Sequence, residues 1–84
     1  MKKAIITVVG KDSVGIIAKV CTYLAERKIN ILDISQTIVG GYFNMMMVVD
    51  VNAATASFDG IASELTEVGK GIGCIIRIQL ESLY

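Results

Sequence analysis

The stretch VVGKDSVGIIAKV, residues 8–20, gathers most of the residues in this chain that could do chemistry. Gly10 ends a β-branched run (Ile5, Ile6, Thr7, Val8, Val9), Lys11, Asp12 and Ser13 follow, and Gly15 precedes a second apolar pattern of different period. A strand gives way to a helix here, and the chemistry open to such a junction is recognition rather than bond making. The first amides of a helix lack intrahelical partners and sit at the positive end of its dipole, so a carboxylate can rest on them. Gly15 has no side chain to keep a ligand away, and Asp12 can accept a hydrogen bond from an ammonium. Plainer roles stand beside these: Asp12 as a helix cap, Gly15 as a point of close helix–strand packing.

The rest of the inventory is sparse. The chain has no histidine, and Cys21 and Cys74 fall on expected core faces and belong to no CxxC pair. With no nucleophile–base pair, no catalytic residue is expected and the chain reads as non-enzymatic. Nor is a metal site or cofactor expected. Eight basic and eight acidic residues cancel, with no basic stripe interleaved with aromatics, so a nucleic-acid partner lacks its electrostatic footprint. The uncharged run between Asp33 and Asp50 is interrupted by Ser35, Gln36, Thr37, Gly40, Gly41 and Asn44. It falls short of the ~20 apolar residues of a membrane span. Lys2-Lys3 leads straight into a strand with no cleavage pattern, so a cytoplasmic location is expected.

The elements that must position the junction follow from periodicity. Residues 3–9 read as a first strand. A helix is expected over about 14–28, capped by Ser13 or Asp12, with an apolar stripe of Val14, Ile17, Ala18, Cys21, Leu24 and Ala25. Asn30 reads as a left-handed turn residue or simply a helix stop. Residues 31–39 form a second strand, and Gly40-Gly41 is a tight-hairpin signal leading to a third over 42–51. There Phe43, Met45, Met47, Val49 and Val51 share a face, so the run Met45-Met46-Met47 reads as core and interface filler. Ser57 should cap a second helix closed by Gly69, Gly71 and Gly73, and residues 74–81 a fourth strand.

The order is βαββαβ. Two right-handed βαβ units joined by a hairpin give an α+β, ferredoxin-like sandwich, with a four-stranded antiparallel sheet and two helices on one face. Residues 1–84 read as one domain. The composition is 54% hydrophobic, more than a two-layer domain of this size needs inside. The uncovered sheet face would carry Tyr42, Met46, Val48 and Ile5 or Val9, so a homodimer or higher homo-oligomer is expected.

The fold hosts many activities, and the loop decides among them. The spacing of Gly10, Asp12, Gly15 and Ile16, followed by a helix ending in Asn30-Ile31, resembles an ACT domain over essentially the whole chain. It is most similar to the small stand-alone ACT proteins and to the ACT units of the glycine cleavage system transcriptional repressor and formyltetrahydrofolate deformylase. Ser13 and Val14 stand where the family usually has Arg-Pro, which relaxes the turn. The resemblance implies a regulatory small-molecule site, with an amino acid as the ligand class. It would be formed by Gly10, Lys11, Asp12, Ser13, Val14 and Gly15 of one subunit with Asn30 and Ile31 of its neighbour. It also implies a partner enzyme or regulator to receive the signal. A non-catalytic assembly module with a vestigial pocket is the alternative. Asp33 is read as facing solvent.

Overall fold

The structure, a computed structural model, describes residues 2–11 and 13–83. Strand β1 (Lys3–Lys11) is followed by helix α1 (Ile16–Glu26), strands β2 (Asn30–Val39) and β3 (Tyr42–Asp50), helix α2 (Phe58–Ile72), and strand β4 (Cys74–Leu80). The strand order is β2-β3-β1-β4 and every neighbouring pair is antiparallel. This is the α+β, ferredoxin-like architecture expected from the chain.

Alternation explains the sheet. In β3, Phe43, Met45, Met47 and Val49 are buried against the helical layer, as are Ala4, Ile6 and Val8 of β1. Met45 and Met47 are therefore core, whereas Met46 lies on the opposite face. Gly40 and Gly41 both have positive φ, 58° and 83°, the conformation a two-residue hairpin demands. At Leu32 the β2–β3 register slips by one residue, a bulge that puts Asp33 opposite Val48.

The first helix departs from its expected form. It begins at Ile16 and ends at Glu26, two residues short of the expected span at either end. Its N-cap is Gly15, in the left-handed region at φ 91°, and no side chain among the described residues caps it. Ser13 makes no capping bond, and Asp12 lies outside the described residues. The buried stripe is Ile16, Val20, Tyr23 and Leu24, rotated from the expected one; Ile17, Ala18 and Ala25 are exposed and Cys21 is half-buried. Two adjacent isoleucines left the phase of the stripe open. Tyr23 settled it, because a buried phenol has a partner here: its hydroxyl donates to Glu64 Oε1 at 2.7 Å.

The exit of α1 is also different. Lys28, not Asn30, takes the left-handed conformation, at φ 58°. Asn30 is the first residue of β2, paired with Asp50. The second helix follows expectation more closely. Ser57 caps it, its hydroxyl accepting from the Gly60 amide at 3.1 Å, and Gly73 ends it at φ 71°. Gly69, however, does not close the helix. It lies buried inside it, against β4.

The helices are tied by Glu64. Arg27 Nε donates to its Oε1 at 3.1 Å and Arg27 Nη2 to its Oε2 at 3.2 Å, alongside the Tyr23 bond. Arg27, then Tyr23, hold the Glu64 carboxyl below its ordinary 4.5, while burial and the Glu64 charge push the Tyr23 phenol up. A carboxylate with a lowered folded-state pKa stabilises the fold above its unfolded value, and that contribution is lost as pH falls through the folded one. The melting temperature of the wild-type chain should thus drop as pH goes below 4.5. Glu64→Gln should melt lower at neutral pH and show a shallower acid slope, measurable by calorimetry between about pH 7 and pH 3.

Candidate functional site

Two openings flank the start of α1. The larger, about 610 Å³, is the seam where α1 and α2 diverge, floored by Tyr23, Val68 and Ile72 and rimmed by Lys19, Glu26 and Glu67. The smaller, about 300 Å³, lies between the first turn of α1 and the helix-side face of β2 and β3. Its walls are Ser13, Gly15, Ile16, Ile17 and Ala18 on one side and Gln36, Ile38 and Phe43 on the other. That volume is at the lower end of the ~300–1,000 Å³ of small-molecule sites.

The chemistry converges on the smaller cleft. The first intrahelical bond is Lys19 N–H to Gly15 O, at 2.9 Å. The amides of Ile16, Ile17 and Ala18 precede it, and no acceptor for them occurs among the described residues. They form the positive end of a helix that no described side chain caps and that has no acidic residue in its first turn. A bound carboxylate would complete their hydrogen bonding. Gln36 offers an amide with both donor and acceptor, and Ile17, Ile38 and Phe43 supply apolar wall.

Of the described residues expected at the site, only Ser13 and Gly15 line this cleft. Gly15 needs its positive φ, and a Cβ there would meet nothing within 4 Å, so conformation rather than close packing explains it. Gly10 is the reverse case: a Cβ would lie 2.6 Å from Cys74 Sγ and 2.8 Å from the Gly73 carbonyl oxygen, so its role visible in one chain is close approach of β1 to β4. Lys11, Ser13 and Val14 are exposed, Val14 entirely. Asp12 lies outside the described residues.

Asn30 and Ile31 are elsewhere. Asn30 pairs with Asp50 and Ile31 with Val49, whereas Gly10 pairs with Phe43 at the other end of β3. From residue 50 to residue 43 is about 23 Å at a rise of roughly 3.3 Å per residue. The two groups of residues do not meet within one chain. Gln36, Ile38, Ile17, Ala18 and Phe43 were not expected at the site. One signal was present: Gln36 is the lone polar residue in the helix-side alternation Ile34, Gln36, Ile38.

Among the described residues, no helix is long and apolar enough to cross a membrane, and no group of three or more His, Cys, Asp or Glu could hold a metal ion. Cys74 is buried, and that burial pushes its thiol pKa up.

The sequence pattern of the ACT domain matches residues 2–79. The chain is 56% identical over 84 residues to a UPF0237 protein of Bifidobacterium longum, covering all of this chain and 93% of that one. Among solved structures, the ACT domain protein from Streptococcus pneumoniae is 43% identical, superposes with a TM-score of 0.87, and is matched over 98% of this chain and 92% of that one. A formyltetrahydrofolate deformylase from Pseudomonas syringae superposes with a TM-score of 0.88 at 24% identity, over 95% of this chain and 28% of that one, a likeness of fold alone. With a family pattern spanning nearly the whole sequence and relatives this similar along their lengths, the chain belongs to the ACT domain family.

Proposed function

We propose that this chain is a non-catalytic regulatory module that binds a small metabolite, an amino acid, in the cleft at the start of α1, and that a second copy completes the cleft. ACT domains are regulatory ligand-binding modules. The observation that carries the finer reading is the first turn of α1, capped by no described side chain, facing Gln36 across a small, partly apolar cleft. The ligand carboxylate takes the amides of residues 16–18, and its side chain takes the wall of Ile17, Ile38 and Phe43. Asp12 is assigned the ammonium.

The separation of Asn30 from the loop supports a second copy. β2 is an edge strand of ten residues, and its helix-side Ile34 and Ile38 are exposed. Such an edge is open to pairing. Antiparallel apposition of two β2 edges would carry the Asn30 end of one strand to the Val39 end of the other, beside the cleft. Binding there stabilises the associated state by mass action, and a partner enzyme or regulator reads that state.

The test is a thermal-shift screen of the amino acids. At a hundredfold excess over Kd, a ligand adds about 2.7 kcal/mol. For a chain of this size that is a rise of roughly 10–20 °C. Gln36→Leu should reduce the rise while leaving the ligand-free melt near wild type. If no amino acid moves the melt, this reading fails. The exposed apolar edge and sheet face also suit assembly without a ligand, and recovery of the same partner from pull-downs with and without amino acid would favour that second reading.

A further inference from the structure

The walls of the cleft at the start of α1 are unequal in chemistry, and that inequality bears on what fits inside. Among the described residues, no charged side chain lines it. Lys11 and Lys19, which flank the loop in sequence, are both turned elsewhere. Lys11 has the strand parity of Thr7 and Val9, on the side of the sheet away from the helices, and lies beside Tyr42. Lys19 lines the larger seam on the other flank of α1. Gln36 stands on the helix side of β2, between Ile34 and Ile38. The rest of the wall across from the loop is carbon: Ile17, Ala18, Ile38 and Phe43. Phe43 is buried in the core, but Ile17 is 38% exposed and Ile38 is 59% exposed. Two branched aliphatic side chains therefore stand in water around a cleft that offers no charge.

We propose that the cleft selects an α-amino acid with a branched aliphatic side chain, and that Ile38 sets this preference. The inference rests on the amino-acid reading of the cleft and narrows it. On that reading the amides of residues 16–18 take the ligand carboxylate and Asp12 takes the ammonium, so both charges of the head group are matched. None of the described walls offers a charge to the ligand side chain. An acidic or basic side chain would give up water for a neutral surface, which is the costly case of an unpaired charge. A hydroxyl or amide side chain would have to compete with the carboxylate for Gln36, which faces the same amides. An aliphatic side chain gives up no hydrogen bond, and it covers the exposed carbon of Ile17 and Ile38.

Size narrows the class further. About 300 Å³ must hold head group and side chain together, at the lower end of small-molecule sites. A single methyl group leaves the isoleucines wet. An aromatic ring meets Ile38, whose backbone is held opposite Phe43 by the β2–β3 ladder. The second copy invoked above would add Asn30 and Ile31, neither of them charged, so completing the cleft leaves its polarity as it is.

The experiment is titration calorimetry of the full chain with leucine, valine, alanine, phenylalanine, glutamate and lysine, with circular dichroism showing that each variant is folded. Leucine and valine should bind with the negative heat-capacity change of buried apolar surface. Alanine should bind about tenfold more weakly or worse, since each missing carbon counts in an apolar pocket. Glutamate and lysine should bind about a hundredfold more weakly or worse. Ile38→Ala should narrow the leucine-to-alanine ratio by about tenfold and admit phenylalanine. Ile38→Lys should lose leucine and take glutamate. Ile38 lies on an edge strand, and a variant that only disturbed assembly would weaken every ligand by one factor, so the ratio between ligands is the decisive readout. A wild-type chain that prefers glutamate, lysine or phenylalanine, or Ile38 variants that keep the wild-type ratio, would overturn the proposal and leave the amino-acid reading standing. Binding of none of these ligands would also overturn it, and the thermal-shift screen of all the amino acids then shows whether the broader reading falls with it.

Discussion

Gly69→Val should melt at least ~10 °C below the wild-type chain, the largest loss expected from one substitution here. A valine is a better helix former than glycine by a few tenths of a kcal/mol, so propensity alone predicts a small gain. Packing decides otherwise. A Cβ at residue 69 would stand 2.5 Å from the Cys74 carbonyl oxygen and 3.2 Å from Ile76 Cγ1, and the nearer atom is sheet backbone, which cannot turn aside. Overpacking of this kind costs about 1–3 kcal/mol, and two further methyl groups put valine at the upper end. Against a total stability of about 4–12 kcal/mol for 84 residues, that is a large share. Gly71→Ala is the control. A Cβ there meets nothing within 4 Å, so the helix keeps the propensity gain and the chain should melt a few degrees higher. Thermal unfolding followed by circular dichroism reads both. If Gly69→Val and Gly71→Ala move the melt in the same direction, α2 does not rest on β4 as described.

Gly15→Val should abolish the ligand-induced rise in melting temperature, a loss of the whole roughly 10–20 °C effect. Two physical terms act on this residue. At φ 91° a β-branched side chain is strained, by about 1–3 kcal/mol, so the ligand-free chain should itself melt lower. The second term is geometric: Gly15 sits at the mouth of the cleft, immediately before the amides of residues 16–18. Relaxing the strain re-aims those amides, and a side chain there occupies the approach to them. Gly15→Ala carries a similar conformational penalty with less bulk, so the difference between the two variants in ligand response measures steric exclusion alone. A titration in which Gly15→Val binds amino acid as tightly as wild type would remove the helix start from the site.

Much of this architecture was legible along the chain. Alternation in residues 42–51, the Gly40-Gly41 hairpin, the Ser57 cap and the Gly73 stop are local features. Each is decided by side chains within a few residues, and each recurs in the structure as read. The face of α1 was not legible, because Ile16 and Ile17 are both apolar and the choice fell to Tyr23 and Glu64, which are 41 residues apart. The glycines divide the same way. Gly15, Gly40 and Gly73 are glycine for their backbone angles, which turns announce. Gly10 is glycine for atoms of Gly73 and Cys74, remote in the chain, and Gly69 for atoms of the strand that its own helix packs on; no turn announces either.

The sequence by itself determined the order of elements, the two layers, the family and the strand-to-helix junction that follows β1. These depend on local periodicity and on a short motif, and both are properties of neighbouring residues. Only the tertiary structure decided that Gln36, Ile38 and Phe43 face that junction, that Asn30 stands at the far end of the sheet from it, and that Lys11 and Lys19 are turned away from the cleft. Those facts depend on strand order and on the one-residue slip at Leu32, which reassigns faces along β2. Strand order and register come from the collective packing of the core, which no single stretch of sequence encodes.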